Sequence, residues 1–398
     1  MTLLGVLGIL LGLLAWPYAV IDRTRARAVV FALAFLAHAL SAIVFWLYTQ
    51  TNASDASLYY MDPYNMMENG FGLSTQFVVW IVQIIKGVVG GTYLDYFLLF
   101  QAVGFFGLAI LMRIMEEIFL EMDTPQPRLS YALLFLPGLH FWTSAIGKDA
   151  PLFTAICLAI WASMQLSRRF IPLGIAIAIM ILVRPYIALV AMVALAVMFI
   201  GNKRIHVALR LVLGAVAIVG AVLAATTVQS AFNIDVTNAD SVSEFLARRE
   251  ALIENVDASG NTAVNAALPL RILSLLFRPL FFDAQGWFAY IASLESVVAL
   301  VAVGYLLLHL RSSIRLSRAA PFLRFGMTLT IGVTFLLGLT YFNVGLGLRQ
   351  RTMIMPGLLV LVIALRAVRA VHLETHVVQA ARVVGTVGRP RIEPRPAE

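Results

Sequence analysis

The sequence predicts an all-α polytopic transmembrane protein of about eleven spans (roughly ten to thirteen), and three observations carry that prediction. Hydrophobic residues make up 61% of the 398 residues and charged residues only 13%, about half the charged share of a soluble domain. Mean hydropathy is +0.89. Apolar runs of about 20 residues, the length that crosses a ~30 Å hydrocarbon core, recur from one end to the other.

Taken in order, the runs bounded by charge place spans at roughly 3–21, 28–49, 92–112, 129–146, 150–167, 170–183, 186–201, 206–228, 286–310, 325–342 and 353–367. Leu3 to Ile21 has no basic residue before it and no small-residue cleavage site after it, so it reads as a retained span rather than a signal peptide. The run 74–90 contains Lys86 and two glycines, Gly87 and Gly90, and reads as interfacial or re-entrant; Leu268 to Phe282 is similarly ambiguous. Ser241 to Asn255 sets Phe245, Leu246, Leu252 and Ile253 at helical spacing. It predicts an interfacial amphipathic helix lying on the outer surface or over a cavity. Residues 1–370 are expected to form a single membrane domain with outer loops 50–75 and 229–285. Residues 371–398 then form a basic tail, disordered towards its Pro- and Arg-rich end from Gly385.

Clustered positive charge sets the orientation. Arg23 to Arg27, Arg168-Arg169, Lys203-Arg204, the Arg311–Arg324 connection and the tail from Arg366 all alternate onto one side, which the charge rule makes cytoplasmic. The N-terminus is then outside and the C-terminus inside. Loop 50–75, with Asp55, Asp62 and Glu68 but no Lys or Arg, falls outside. The same rule explains the net charge of +8 without a nucleic-acid partner. One cysteine, Cys157, excludes a disulfide framework or a cysteine metal cluster. No Walker, HExxH or paired CxxC motif is present, and neither a metal nor a cofactor is expected.

Cations on the outer side are the residues the charge rule does not expect. Lys148 is one of three lysines in the chain. In a continuous helix His140, Ser144 and Lys148 would share one face. Asp149 before Ala150-Pro151 fits a helix start. A snorkelling lysine beside a capping carboxylate is the alternative, equal in weight for Asp149 as a substrate-binding residue; a lone cap needs neither Lys148 nor His140, so Lys148 reads as catalytic and His140 as substrate-binding. Arg184-Pro185 splits one apolar run into two. Arg278-Pro279 precedes Asp283 and then Glu295, a carboxylate about two turns into an apolar helix, where it needs an internal partner. Interfacial anchoring explains the prolines but not Glu295. Arg349 and Arg351 close a glycine-containing segment, where an extended backbone would point both the same way. A charged turn is the alternative there. Guanidinium suits phosphate because its planar fork gives two parallel charge-assisted hydrogen bonds. In the first outer loop, Asp55 with Tyr59 and Tyr60 would bind a sugar or remove a proton from a hydroxyl, although an acidic loop is also what the charge rule predicts outside.

Asp55-Ala-Ser-Leu-Tyr59, "LPGLHFWTSAIGKDA", "LVRPY", "LFRPLFFDA…ASLES" and "GLRQR" before the last span together resemble bacterial exopolysaccharide and O-antigen polymerase-like and GT-C-like membrane glycosyltransferases, over about residues 50–365. The resemblance implies an enzyme of the bacterial cytoplasmic (inner) membrane. It would act on polyprenyl-diphosphate-linked oligosaccharide at the outer face, among membrane lipids and polysaccharide assembly proteins. It implies that Arg184, Arg278, Arg349 and Arg351 bind diphosphate and that Asp55 is a base or acceptor-binding residue. Loop 50–75 lacks the paired acidic residues often found in GT-C enzymes, which favours the polymerase reading. A non-enzymatic lipid-glycan transporter and a structural subunit of an export machine are the alternatives.

Overall fold

The computed structural model describes residues 2–21, 24–122, 126–200, 267–341 and 343–387, with scattered positions between 206 and 248. Among the described residues the chain is all helix, with no strand. Leu3–Leu13 (α1) and Trp16–Ala19 (α2) lead into the long Arg25–Tyr48 (α3). A short helix, Asp55–Met61 (α4), precedes Thr75–Val89 (α5) and the 29-residue Tyr93–Glu121 (α6). Arg128–Ala132 (α7) and Pro137–Thr143 (α8) come next, then Asp149–Met164 (α9), Leu166–Val183 (α10) and Pro185–Ile200 (α11). The remainder is Leu268–Phe277 (α12), Trp287–Leu308 (α13), Leu310–Ala319 (α14), Pro321–Leu339 (α15), Val344–Arg351 (α16) and Met355–Val387 (α17).

Five described helices, α3, α6, α10, α13 and α15, are long and apolar enough to cross a bilayer. The pair α16 and α17, bent by 54°, makes a sixth if counted as one broken span. The expected count of about eleven is not met by helices of crossing length. Runs 3–21, 150–167 and 186–201 instead give apolar helices of 10–17 residues. Run 129–146 is divided at Pro137, which starts α8 after a 3₁₀ turn at Leu133–Phe135. The reason is burial. Helix α9 has 16 residues, ~24 Å, and buries positions all around its circumference, from Asp149 to Ser163. It is a core helix, and core and lipid demand the same apolar composition. Run 74–90 forms α5 and run 268–282 begins with α12. Residues 251–266, about half of the expected span 206–228 and the end of the segment Ser241 to Asn255 lie outside the described residues. The expected tail continues α17 as helix to Val387, and 388–398 lie outside the described residues.

Helix α6 is the axis around which the others pack. Thr92 and Asp95 cap its start reciprocally, and Asp95 also accepts from the Thr2 backbone N–H and hydroxyl, each at 2.9 Å. Gly104 lets α8 approach so closely that a Cβ there would lie 1.9 Å from the Thr143 carbonyl oxygen. At one end of α6, Glu117 receives both Arg169 nitrogens at 2.9 Å and Arg113 at 2.7 Å, while Glu116 lies 3.2 Å from Arg27. Arg324 donates to the Met198 carbonyl near the same loops. The basic connections therefore gather at one end. At the other end Tyr59, Val79, Tyr96, Phe97, Ala145 and Ala150 form a separate apolar cluster beneath α4 and α5. The polar cluster described next lies over it.

Candidate functional site

Asp149 is the organiser. It occupies the first turn of α9 and is 4% exposed. One carboxylate oxygen accepts from Arg184 Nη2 at 3.1 Å. The other accepts from Arg349 Nε. Arg184 sits where φ −148° ends α10 and Pro185 opens α11, so its side chain leaves a helix break. Its Nη1 donates to the Tyr186 hydroxyl at 2.6 Å, and its buried Nε has no hydrogen-bond partner among the described residues. Arg349, on α16, sends Nη1 to Asp55 at 2.6 Å. Asp55 begins α4 behind the N-cap Ser54. A continuous chain Asp55–Arg349–Asp149–Arg184–Tyr186 thus joins four segments that lie up to 294 residues apart.

Lys148 borders this chain without joining it. Its Nζ donates to Thr75 Oγ1 at 3.0 Å, at the start of α5. Gly147 makes the approach possible: its φ of +154° is a conformation that L side chains rarely adopt, and a Cβ there would lie 3.2 Å from the Tyr59 ring. Tyr59 is 1% exposed and closes the floor of the cluster.

Charge within the cluster is nearly balanced. Two carboxylates face two guanidiniums, which leaves Lys148 over. Burial would raise the Asp55 carboxyl, but the charge and hydrogen bond of Arg349 outweigh it and hold the group below its ordinary value. Lys148 lies in the turn between α8 and α9. Burial, then the charges of Arg184 and Arg349, push its ammonium down to about 7 against the opposing pull of Asp55 and Asp149. Burial raises the Tyr59 phenol, so that group stays protonated.

The remaining residues singled out from sequence go elsewhere. Arg351 does not point with Arg349. The segment is helical, not extended, and two residues advance a helix by about 200°. Arg351 is 0% exposed; its Nη1 donates to Ser296 Oγ at 2.8 Å, its Nε to the Leu275 carbonyl at 3.2 Å, and its Nη2 to the Arg278 carbonyl. Glu295 is 2% exposed beside it and accepts the Gly138 N–H at 2.8 Å. Arg278 pairs with Asp283 through Nε. His140 does not share a face with Lys148, because α8 ends at Thr143 and a turn intervenes. It is buried, with Nδ1 3.3 Å from His38 Nδ1 and Nε2 2.9 Å from the Leu134 carbonyl. Tyr60 ties α4 to its neighbours instead: its hydroxyl donates to the Gly91 carbonyl at 3.0 Å, and Lys86 lies 4.2 Å above its ring.

Sequence reasoning missed Thr75, Tyr186 and His38. Tyr186 stands two residues from Arg184 and is detectable on that ground; Thr75 and His38 carry no such signal. Among the described residues no three His, Cys, Asp or Glu side chains converge as metal ligands. The chain matches no family model, no curated protein and no solved structure.

Proposed function

We propose that this protein is a bacterial inner-membrane glycosyltransferase that polymerises or otherwise transfers polyprenyl-diphosphate-linked oligosaccharide. The supporting observation is the convergence of Arg184, Arg349 and Lys148 from three separate segments onto one end of the helical bundle. Cations held at such a place mark a site for an anionic group. Arg349 and Arg184 would receive the donor's diphosphate and stabilise negative charge as the glycosyl bond to it breaks. Asp149 positions both guanidiniums. Asp55, whose side chain is 55% exposed, stays paired with Arg349 and faces the acceptor. Arg351, Glu295 and Arg278 hold α12, α13 and α16 together and act through position rather than contact.

The deciding experiment reconstitutes the purified protein in vesicles with polyprenyl-diphosphate oligosaccharide. Longer glycans should appear with release of polyprenyl diphosphate. Movement of the lipid across the bilayer without change in glycan length would favour a transporter. Full function after alanine replacement of Arg184 and Arg349 would favour a structural subunit.

The site lies on the outer face in this reading, because the opposite end carries the basic loops. Cysteines placed at the exposed Asn52 and Gly345 should label from outside in whole cells, while one at the exposed Ser312 stays protected. The reverse labelling pattern would place the site in the cytoplasm and remove the outer-face substrate.

A further inference from the structure

The cluster must dispose of a proton if it transfers a glycosyl group to a hydroxyl, and the groups able to take one are few. Both Asp149 oxygens are committed to guanidiniums, and Asp149 is buried. Asp55 accepts a hydrogen bond from Arg349 Nη1, and a carboxylate held by a guanidinium is a weakened base. Tyr59 is a buried phenol. His140 lies against His38 and the Leu134 carbonyl, away from the ion-pair chain.

Lys148 differs from all of these. It is half-buried at the edge of the cluster, and no carboxylate among the described residues lies within ion-pair distance of it. One N–H is used on Thr75 Oγ1. The charged and polar groups facing it are Asp55 from α4, Thr75 from α5, Asp149 from α9, Arg184 from the α10–α11 break and Arg349 from α16. Two guanidiniums beside an amine disfavour its charged form, as does partial burial. The amine is accordingly held near neutrality at physiological pH, with its value pushed down to about 7.

Resting on the glycosyl-transfer reading, we infer that Lys148 is the proton acceptor of the site, taking the proton of the incoming sugar hydroxyl as that oxygen attacks the donor's anomeric carbon. The acceptor oxygen forms the new bond to that carbon. The bond from the carbon to the diphosphate oxygen breaks, and its electron pair leaves on the diphosphate. The hydroxyl proton moves to the Lys148 amine, giving an ammonium that later returns it to water. This role differs from permanent cationic binding, which a lysine fixed as ammonium would provide.

Arginine separates the two roles, since Lys148→Arg keeps the charge and is not deprotonated in proteins. The assay uses vesicles with a fluorescent polyprenyl-diphosphate oligosaccharide, reading donor binding and glycan elongation between pH 5 and 9. In the wild-type protein kcat/KM should rise with pH through a midpoint near 7 and level off above it, as a base that must lose its proton requires. Lys148→Arg should bind donor within about twofold of wild type yet lose elongation by roughly 10²–10⁴-fold. Wild-type elongation by Lys148→Arg would overturn the inference while leaving diphosphate binding in place. Should that variant fail to insert, the wild-type profile alone decides, and a flat profile between pH 6 and 8 overturns it. A wild-type protein that binds donor but never elongates glycans would overturn both this inference and the transferase reading. Donor binding lost in Arg349→Ala, with Lys148→Arg fully active, would isolate the failure to the proton step.

Discussion

Arg349→Lys should insert and fold like the wild type and lose roughly tenfold to a hundredfold in glycan transfer. Arg349 is held at two points, with Nε on Asp149 and Nη1 on Asp55. A lysine ammonium at the same place keeps the charge but is a point donor, so it cannot reproduce two parallel bonds to a phosphate. The loss of one charge-assisted hydrogen bond corresponds to about 1.5–3 kcal/mol, which sets the expected range. Elongation in vesicles measures it, with the amount of inserted protein as the control. Wild-type turnover by Arg349→Lys would mean that charge alone suffices and that the planar fork has no part in the reaction.

The second large effect belongs to Asp149. Asp149→Ala would leave Arg184, 7% exposed, and Arg349 without their shared carboxylate. Removing one partner of a buried ion pair costs about 3–5 kcal/mol, because the other charge stays desolvated and uncompensated. The midpoint of thermal inactivation in detergent should fall by several degrees, and transfer should be lost with it. Asp149→Asn should be milder in stability, since the amide oxygen still accepts one hydrogen bond. A thermal midpoint for Asp149→Ala equal to the wild-type value would show that the two guanidiniums find other partners and that Asp149 does not organise them.

Much of the site was legible from residues that broke a rule. The charge rule expects basic residues on one side of the membrane, and Lys148, Arg184 and Arg349 stood against it. The structure gathers these three with Asp55 and Asp149. Arg351 broke the same rule and was drawn to the same site, but helix α16 turns it into the interior, where backbone carbonyls take its donors. His140 was linked to Lys148 by helical spacing, and the turn after Thr143 cancelled that spacing. Both errors have one origin. Periodicity arguments require the local conformation in advance, and glycine-containing segments leave it open.

By itself the sequence determined that the chain is helical and apolar enough for a membrane, because composition and run length act through solvent transfer and need no partner. It also determined which charges were out of place. Tertiary structure alone decided the rest. Hydropathy does not distinguish lipid from protein interior, so only packing revealed that α9 is a short core helix while α3, α10 and α13 have the length and exposure of spans. Ion pairing between Asp55 and Arg349 depends on two segments 294 residues apart meeting at one point. No local pattern encodes that meeting. The close approach of helices at Gly104, the turn at Gly147 packed against Tyr59, and the ion pairs formed among the charged side chains select it from the many arrangements the same apolar runs would allow.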